Sequence, residues 1–205
     1  MNDKWIDFAV RIQSIAQAGL QYGKDKYDKE RYEQLRQISA EMISAKTDIP
    51  IDKVCDLFCN ETGYQTPKVD TRAAVFVDNK ILLVRENNGT WSLPGGWCDV
   101  DQSVASNTVK EVKEETGFTV SAEKLISVQD WRRHNVTNYA YGVVKVFVQC
   151  KYESGEFEAN IETTEAAFFD KNSLPENLAV EKCTKEQILM CFESYENPDC
   201  PTLFE

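Results

Sequence analysis

Apolar side chains return at three- and four-residue intervals through the first third of the chain. Trp5, Phe8, Ile12, Ile15 and Ala16 form one such series, and Tyr32, Leu35, Ile38, Met42 and Ile43 form another. This spacing places each series on one face of a helix. A third, shorter helix is predicted over IDKVCDLFCNE, with Val54, Leu57 and Phe58 on one side, and Tyr64 to Asp70, which contains Pro67, reads as a linker. Beyond it the period shortens to that of strands. TRAAVFV and ILLVRE are apolar runs joined by a turn of Asp78 and Asn79, which predicts a hairpin. Residues 103 to 116 return to a helical pattern, with Gly117 as the expected stop. Further strands are predicted in KLISVQDW, YGVVKVFVQCKY and EAAFFD, and a closing helix in TKEQILMCFESYE before Pro198. The order of elements predicts an α+β chain. Residues 1–67 are a small all-α domain, and 68–205 a mixed sheet in an α/β/α sandwich.

Composition narrows the function classes. Hydrophobic residues make up 42% of the 205 and aromatics 11%, enough for a packed core and too much for a generally disordered chain. The formal net charge of −11 disfavours duplex DNA and anionic membrane as partners. A polyanionic small molecule is admitted only if cations reverse the field locally. The seven cysteines are odd in number and fall in no CxxC spacing, which predicts reduced thiols in a cytoplasmic protein. Cys55 and Cys59, four apart, are expected to pack rather than bind metal, since the chain has a single histidine. MNDKWIDFAV lacks the basic and apolar regions of a signal peptide, and no 18-residue apolar run is present, so no membrane span is expected.

The stretch GGWCDVDQSVASNTVKEVKEETGF concentrates the candidate chemistry. On a helix Glu111, Glu114 and Glu115 share about one turn of one face, and Asp99 is expected to fall near the same point. A solvated helix face would also read EVKEE, with Lys110 and Glu114 as an i,i+4 pair. The preceding LPGGWCD argues for more: a Pro-Gly-Gly turn lets backbone approach a ligand and turn carbonyls inward. Carboxylates and a carbonyl are the donors that a hard divalent cation prefers. A second polar and aromatic group, Asp130, Trp131, Arg132, Arg133 and His134, lies between two strand signals. There Trp131 is a candidate to stack a base and Arg132 to hold a phosphate. Trp97 is placed either to wall the glycine turn or simply to pack.

Gly96, Glu111, Val112, Glu114, Glu115, Gly117 and Phe118 fall at the spacings of the Nudix box, so the stretch from Gly96 to Phe118 resembles that motif. Gln102 stands where the pattern has its first Glu, and Lys110 where it has Arg. AAVFVDNKILLVREN and IETTEAAFFDKNSLPENL resemble the family's flanking strands, so the sandwich is expected to be the Nudix fold. The first 67 residues resemble the N-terminal domain of a subgroup that cleaves nucleoside diphosphates linked to another moiety, associated with ADP-ribose and CDP-choline. The resemblance implies a pyrophosphatase dependent on Mg²⁺ or Mn²⁺, with Glu111, Glu115 and the Gly96 carbonyl as metal ligands. It places Glu114 beside them in catalysis, Glu162 as general base with Glu165 as runner-up, and Arg85 on a substrate phosphate. The competing reading of Arg85 is a surface ion pair with Glu86 or a box carboxylate. The expected products are a nucleoside monophosphate and a phosphorylated second moiety, and the expected assembly is a homodimer. Rival readings are cleavage of nucleoside triphosphates or RNA 5′ ends, and a weakly active nucleotide sensor, which Gln102 keeps open.

Overall fold

The computed structural model of the protein describes residues 4–47, 49–59, 61–135 and 142–205. Leu57, part of the expected face of the third helix, has its side chain outside the described set, as does Tyr141 near the start of a predicted strand. The chain forms two compact units that divide between Pro67 and Lys68, with Gly142 grouped with the first.

The first unit holds α1 (Lys4–Tyr22), α2 (Lys26–Thr47) and α3 (Ile51–Phe58). Asp25 opens α2 by accepting the N–H groups of Tyr27 (2.8 Å) and Asp28 (3.1 Å) on its carboxylate. The core is Ala9, Ala40, Ile43, Val54, Phe58 and Cys59. The apolar series of α1 is split between inside and outside. Trp5 (57%), Phe8 (44%) and Ile15 (62%) are exposed, and the side turned inward is Ile6, Ala9, Gln13, Ala16 and Gln17. The reason is close approach: a Cβ on Gly19 would come within 2.5 Å of the Tyr32 ring of α2, so small side chains face the neighbouring helix. Buried polar groups are partly satisfied, Gln13 Nε2 donating to the Phe58 carbonyl (3.3 Å) and Ser39 Oγ to that of Ala9 (2.6 Å).

The second unit is a seven-stranded mixed sheet. Its strands are β1 (Lys68–Val77), β2 (Lys80–Glu86), β3 (Trp91–Ser92), β4 (Thr119–Asp130), β5 (Val143–Ser154), β6 (Thr163–Phe169) and β7 (Leu203–Phe204). The path is β3-β2-β1-β5-β4-β7, with β6 on β2. The β1–β5 and β4–β7 pairs are parallel and the others antiparallel. The expected hairpin is present. Asp78 (φ 49°) and Asn79 (φ 61°) occupy the left-handed region that a tight turn of this kind demands. The expected linker is shorter than its sequence signal, because Lys68 to Asp70 already belong to β1.

Alternation along β1 builds both faces of the sheet. Ala73 and Val75 join Leu82, Val146 and Val148 beneath Val112 of helix α4 (Val104–Thr116). Ala74 and Phe76 join Leu83, Phe147, Ile188 and Phe192 on the face covered by helix α5 (Lys185–Glu196). Helix, sheet and helix thus stack as the expected sandwich. Ser103 caps α4, its hydroxyl accepting the Ser106 N–H while Ser106 returns the bond, a device worth about 1 kcal/mol. Gly117 ends α4 in the left-handed conformation at φ 78°. Among the described residues no helix is long and apolar enough to cross a membrane.

Candidate active site

The site grows from the start of β1. Thr71 and Ala73 send their N–H groups to the carbonyls of Gly96 and Pro94, each at 2.8 Å, so the Pro-Gly-Gly turn runs beside β1 like an extra strand. Gly95 is required there by its backbone, and Gly96 leaves room for the Glu111 carboxylate. A Cβ on Gly95 would lie 2.0 Å from the Thr71 carbonyl oxygen, and one on Gly96 would lie 2.6 Å from a carboxylate oxygen of Glu111. Buried Asn107 of α4 fastens helix to turn: its Nδ2 donates to Thr71 Oγ1 (2.9 Å) and the Trp97 carbonyl (3.2 Å), and its Oδ1 accepts the Asp99 N–H (3.1 Å).

On the α5 side of β1, Asp70, Arg72 and Lys145 form a buried charge cluster. Arg72 grips the Asp70 carboxylate through Nε (3.0 Å) and Nη2 (2.6 Å), and Lys145 Nζ reaches it at 2.8 Å. Asp70 and Arg72 meet because residues two apart share a strand face. Lys145 also donates to the Lys182 carbonyl, and Arg72 Nη1 donates to that of Leu93 (3.2 Å), just before the glycine turn. Burial alone would push the Asp70 carboxyl up, but the Arg72 and Lys145 charges hold it below the usual carboxylate range.

The box carboxylates lie across the turn. Glu115 accepts the Gly95 N–H at 2.9 Å. Burial pushes its pKa up to about 7, against the opposing pull of the Arg72 charge. Burial also raises Glu111, against Lys110. Lys110 Nζ sits among three carboxylates, 2.9 Å from Glu114, 3.1 Å from Asp99 and 3.2 Å from Glu111. Those bonds raise its own pKa.

Glu111, Glu114 and Glu115 line a cleft of about 220 Å³ with Asn160, Ile161 and Glu162. A neighbouring cleft of about 390 Å³ shares Glu115 and Glu162 and adds Glu86, Asn87, Asn88, Thr163 and Lys182. The structure therefore brings Glu111, Glu114, Glu115 and Glu162 to one place. Among the described residues no three acidic, His or Cys side chains are gathered into a finished coordination shell. Lys110 reaches Glu111 and Glu114, and the Gly95 N–H holds Glu115. The donor chemistry nonetheless suits a hard divalent cation. Every charged donor is a carboxylate, and two of them are raised by burial, which is the charge deficit a cation offsets.

Three other expected site residues are placed differently. Arg85 is absent from both cleft linings, and its Nη1 lies 3.3 Å from Glu165, whose separation across the β2–β6 pair puts it directly opposite. That ion pair also occupies the runner-up base. Trp131 is 2% exposed inside a short 3-10 turn (Trp131–Arg133), so its ring offers no face for a base. Arg132 folds back on Asp130, with Nη2 at 2.6 Å and Nε at 3.0 Å from the carboxylate, an arrangement fixed by the same turn. Neither lines the two clefts. His134 meets Glu205 at 3.0 Å. Asp99, expected near the carboxylates, shares Lys110 with them, and the structure adds Arg72 as support for the turn and Asn160 between helix and loop. Only Arg72 carried a sequence signal, a charged pair at strand spacing inside an apolar run.

Comparisons with known proteins agree with this fold. A family profile described as a NUDIX domain matches residues 67–187, and one described as a UDP-X-like, N-terminal oligomerisation domain matches residues 3–58. YjhB of Bacillus subtilis (strain 168), which carries a provisional designation as an ADP-ribose pyrophosphatase, is 44% identical over 98% of this chain and 97% of its own. A crystal structure described as an ADP-ribose pyrophosphatase of Streptococcus suis 89-1591 is 48% identical, with TM-score 0.64, over 68% of this chain and 100% of its own. A UDP-X diphosphatase structure is 33% identical, with TM-score 0.65, over 98% of each chain.

Proposed function

We propose that this chain, which belongs to the Nudix hydrolase family, cleaves the pyrophosphate bond of a nucleoside diphosphate linked to a second moiety. The products are a nucleoside monophosphate and the phosphorylated second moiety. The observation that carries this reading is the cleft in which Glu111, Glu114 and Glu115 face Glu162. ADP-ribose is the first substrate to try, because two of the similar proteins are named for it. UDP-linked and CDP-linked compounds, CDP-choline included, follow.

Nudix hydrolases use divalent metal ions, and here Mg²⁺ or Mn²⁺ is the proposed cofactor, held by Glu111, Glu115 and the Gly96 carbonyl. Such an ion, when bound, neutralises phosphate charge and acidifies water. The chain's own residues do the remainder. Glu162, from the facing loop, takes the proton of the attacking water at its carboxylate. Glu114 and Asp99 hold Lys110 among the acidic side chains. Lys182, 2.7 Å from Glu86 on the larger cleft, is a cation available to a substrate phosphate. The catalytic domain is placed at 68–205 and the helical domain at 1–67. The exposed α1 stripe is proposed as the homodimer contact, which fits the oligomerisation profile matched there. A cytoplasmic location is proposed because all seven thiols are free.

The test is release of monophosphate from ADP-ribose, CDP-choline, a UDP-sugar, a nucleoside triphosphate and a 5′-triphosphate RNA, with Mg²⁺, Mn²⁺ or chelator. The expected result is metal-dependent cleavage of a linked diphosphate at least tenfold faster than of either triphosphate. Turnover of the triphosphates alone overturns the reading.

A further inference from the structure

Residues 156–162 run as irregular chain from the end of β5 to β6, alongside the last turn of α4. One side chain joins the two. Asn160 Nδ2 donates to the carbonyls of Glu114 (2.9 Å) and Glu115 (3.0 Å). Its Oδ1 accepts the N–H groups of Glu162 and Thr163, both at 2.9 Å. Its backbone N–H donates to the Thr163 carbonyl at 3.0 Å. The carboxamide thereby uses both donors and both acceptor positions. The two carbonyls belong to the final turn of α4, where intrahelical partners run out. The two N–H groups belong to the residues that carry Glu162 into the clefts.

We infer that Asn160 is a positioning residue for the reaction, locking Glu162 at a fixed place opposite Glu111, Glu114 and Glu115. The inference rests on the proposed role of Glu162 as proton acceptor. The box carboxylates are set by the helix itself, whereas Glu162 comes from a loop with no regular hydrogen-bond ladder before β6. The Glu158 N–H also reaches the Thr116 carbonyl of α4 (3.2 Å), four residues before Glu162, whereas the clamp acts at Glu162 itself, and general-base efficiency depends on placement to within hydrogen-bond reach. Other side chains cannot substitute. Aspartate lacks the two donors and would set a negative charge against carbonyls at the negative end of the helix. Glutamine is a methylene longer and would shift the loop. Alanine breaks the link altogether.

The test is a double-mutant cycle in the full-length enzyme, on the linked diphosphate it turns over fastest, with Mg²⁺ saturating. Asn160→Ala should lower kcat about 10- to 30-fold with KM within about twofold, on the scale of a misplaced base. Glu162→Gln should lower kcat about 10²-fold or more. The double variant should be no more than about twofold slower than Glu162→Gln, because the clamp has nothing left to place. Asn160→Asp should not rescue. Thermal melting accompanies each variant, and Asn160→Ser serves in the cycle if Asn160→Ala does not fold. A slow Glu162→Gln beside an unaffected Asn160→Ala, or losses that multiply in the double variant, overturns the positioning role alone. Wild-type turnover in Glu162→Gln overturns the base assignment and the inference that rests on it.

Discussion

Asp99 Oδ2 lies 3.1 Å from Lys110 Nζ, although the Nudix pattern reserves a glutamate for that neighbourhood three residues later, at the position of Gln102. The carboxylate lost at 102 is thus supplied from the loop before it. Gln102→Glu should therefore leave kcat within about twofold. Asp99→Asn should release Lys110 towards Glu111 and Glu114, where it competes with a cation. The pair is half exposed, so its worth is about 1 kcal/mol or less. That corresponds to about a fivefold rise in the Mg²⁺ concentration for half-maximal rate. Asp99→Asn combined with Gln102→Glu should return most of it, as read by metal titration of initial rates.

Glu115 touches the glycine turn and both clefts. Glu115→Gln keeps the shape and one acceptor for the Gly95 N–H but removes the charge. Turnover should fall about 10²-fold or more, the loss of several kcal/mol of transition-state stabilisation. Far-UV circular dichroism and the melting temperature should stay at wild-type values, because the substitution leaves no new buried charge. Wild-type turnover would remove Glu115 from the site.

Asp70 is held by two cations in a buried setting, so Asp70→Asn leaves Arg72 and Lys145 short of their counter-charge. The expected loss is about 3–5 kcal/mol, measured by urea unfolding near neutral pH. The pH dependence follows from the direction of the shift. The folded carboxyl titrates below its unfolded value of about 3.9, so the unfolded chain binds more protons in that interval. Its stabilisation is full above that unfolded value and drains away as pH falls through the lower, folded one. Wild-type protein should lose stability steeply below about pH 4, and Asp70→Asn should show a shallower slope there.

Trp5, Phe8 and Ile15 leave an apolar stripe on α1. If that stripe is the contact between two copies, Trp5→Asp with Ile15→Asp should halve the mass seen by light scattering while sparing helix content. Unchanged mass in the double variant would place the contact elsewhere.

Local rules made most of the catalytic unit legible. A turn needing left-handed residues, a glycine stop and an alternating strand each involve few neighbours, and Asp78, Asn79 and Gly117 sit where those rules put them. The box spacing likewise located Glu111, Glu114 and Glu115 on one face. What sequence periodicity cannot tell is which apolar stripe a helix turns inward. On α1 the series Trp5, Phe8, Ile12, Ile15 and Ala16 is split, Ala16 turning inward beside Ala9 while Trp5, Phe8 and Ile15 stay exposed, because approach to Tyr32 at Gly19 favours small side chains. Nor does composition tell whether an aromatic among charges is presented or hidden: Trp131 is buried while Asp130 and Arg132 neutralise each other beside it. Asn160 acts through distances between segments, for which neither residue type nor spacing gives a cue.

The bonds from Thr71 and Ala73 to the glycine turn have a dynamic consequence. Glycines usually mark chain that opens easily, but here Gly95 and Gly96 allow close approach, and the turn they form is hydrogen-bonded into the central strand. Amide protons exchange at the pace of the cooperative unit that protects them. Those of Thr71 and Ala73 should accordingly exchange with deuterium only as fast as the sheet itself opens. Substrate then has to come and go past a turn that stays shut, facing an opposite bank that Asn160 fastens to the end of α4.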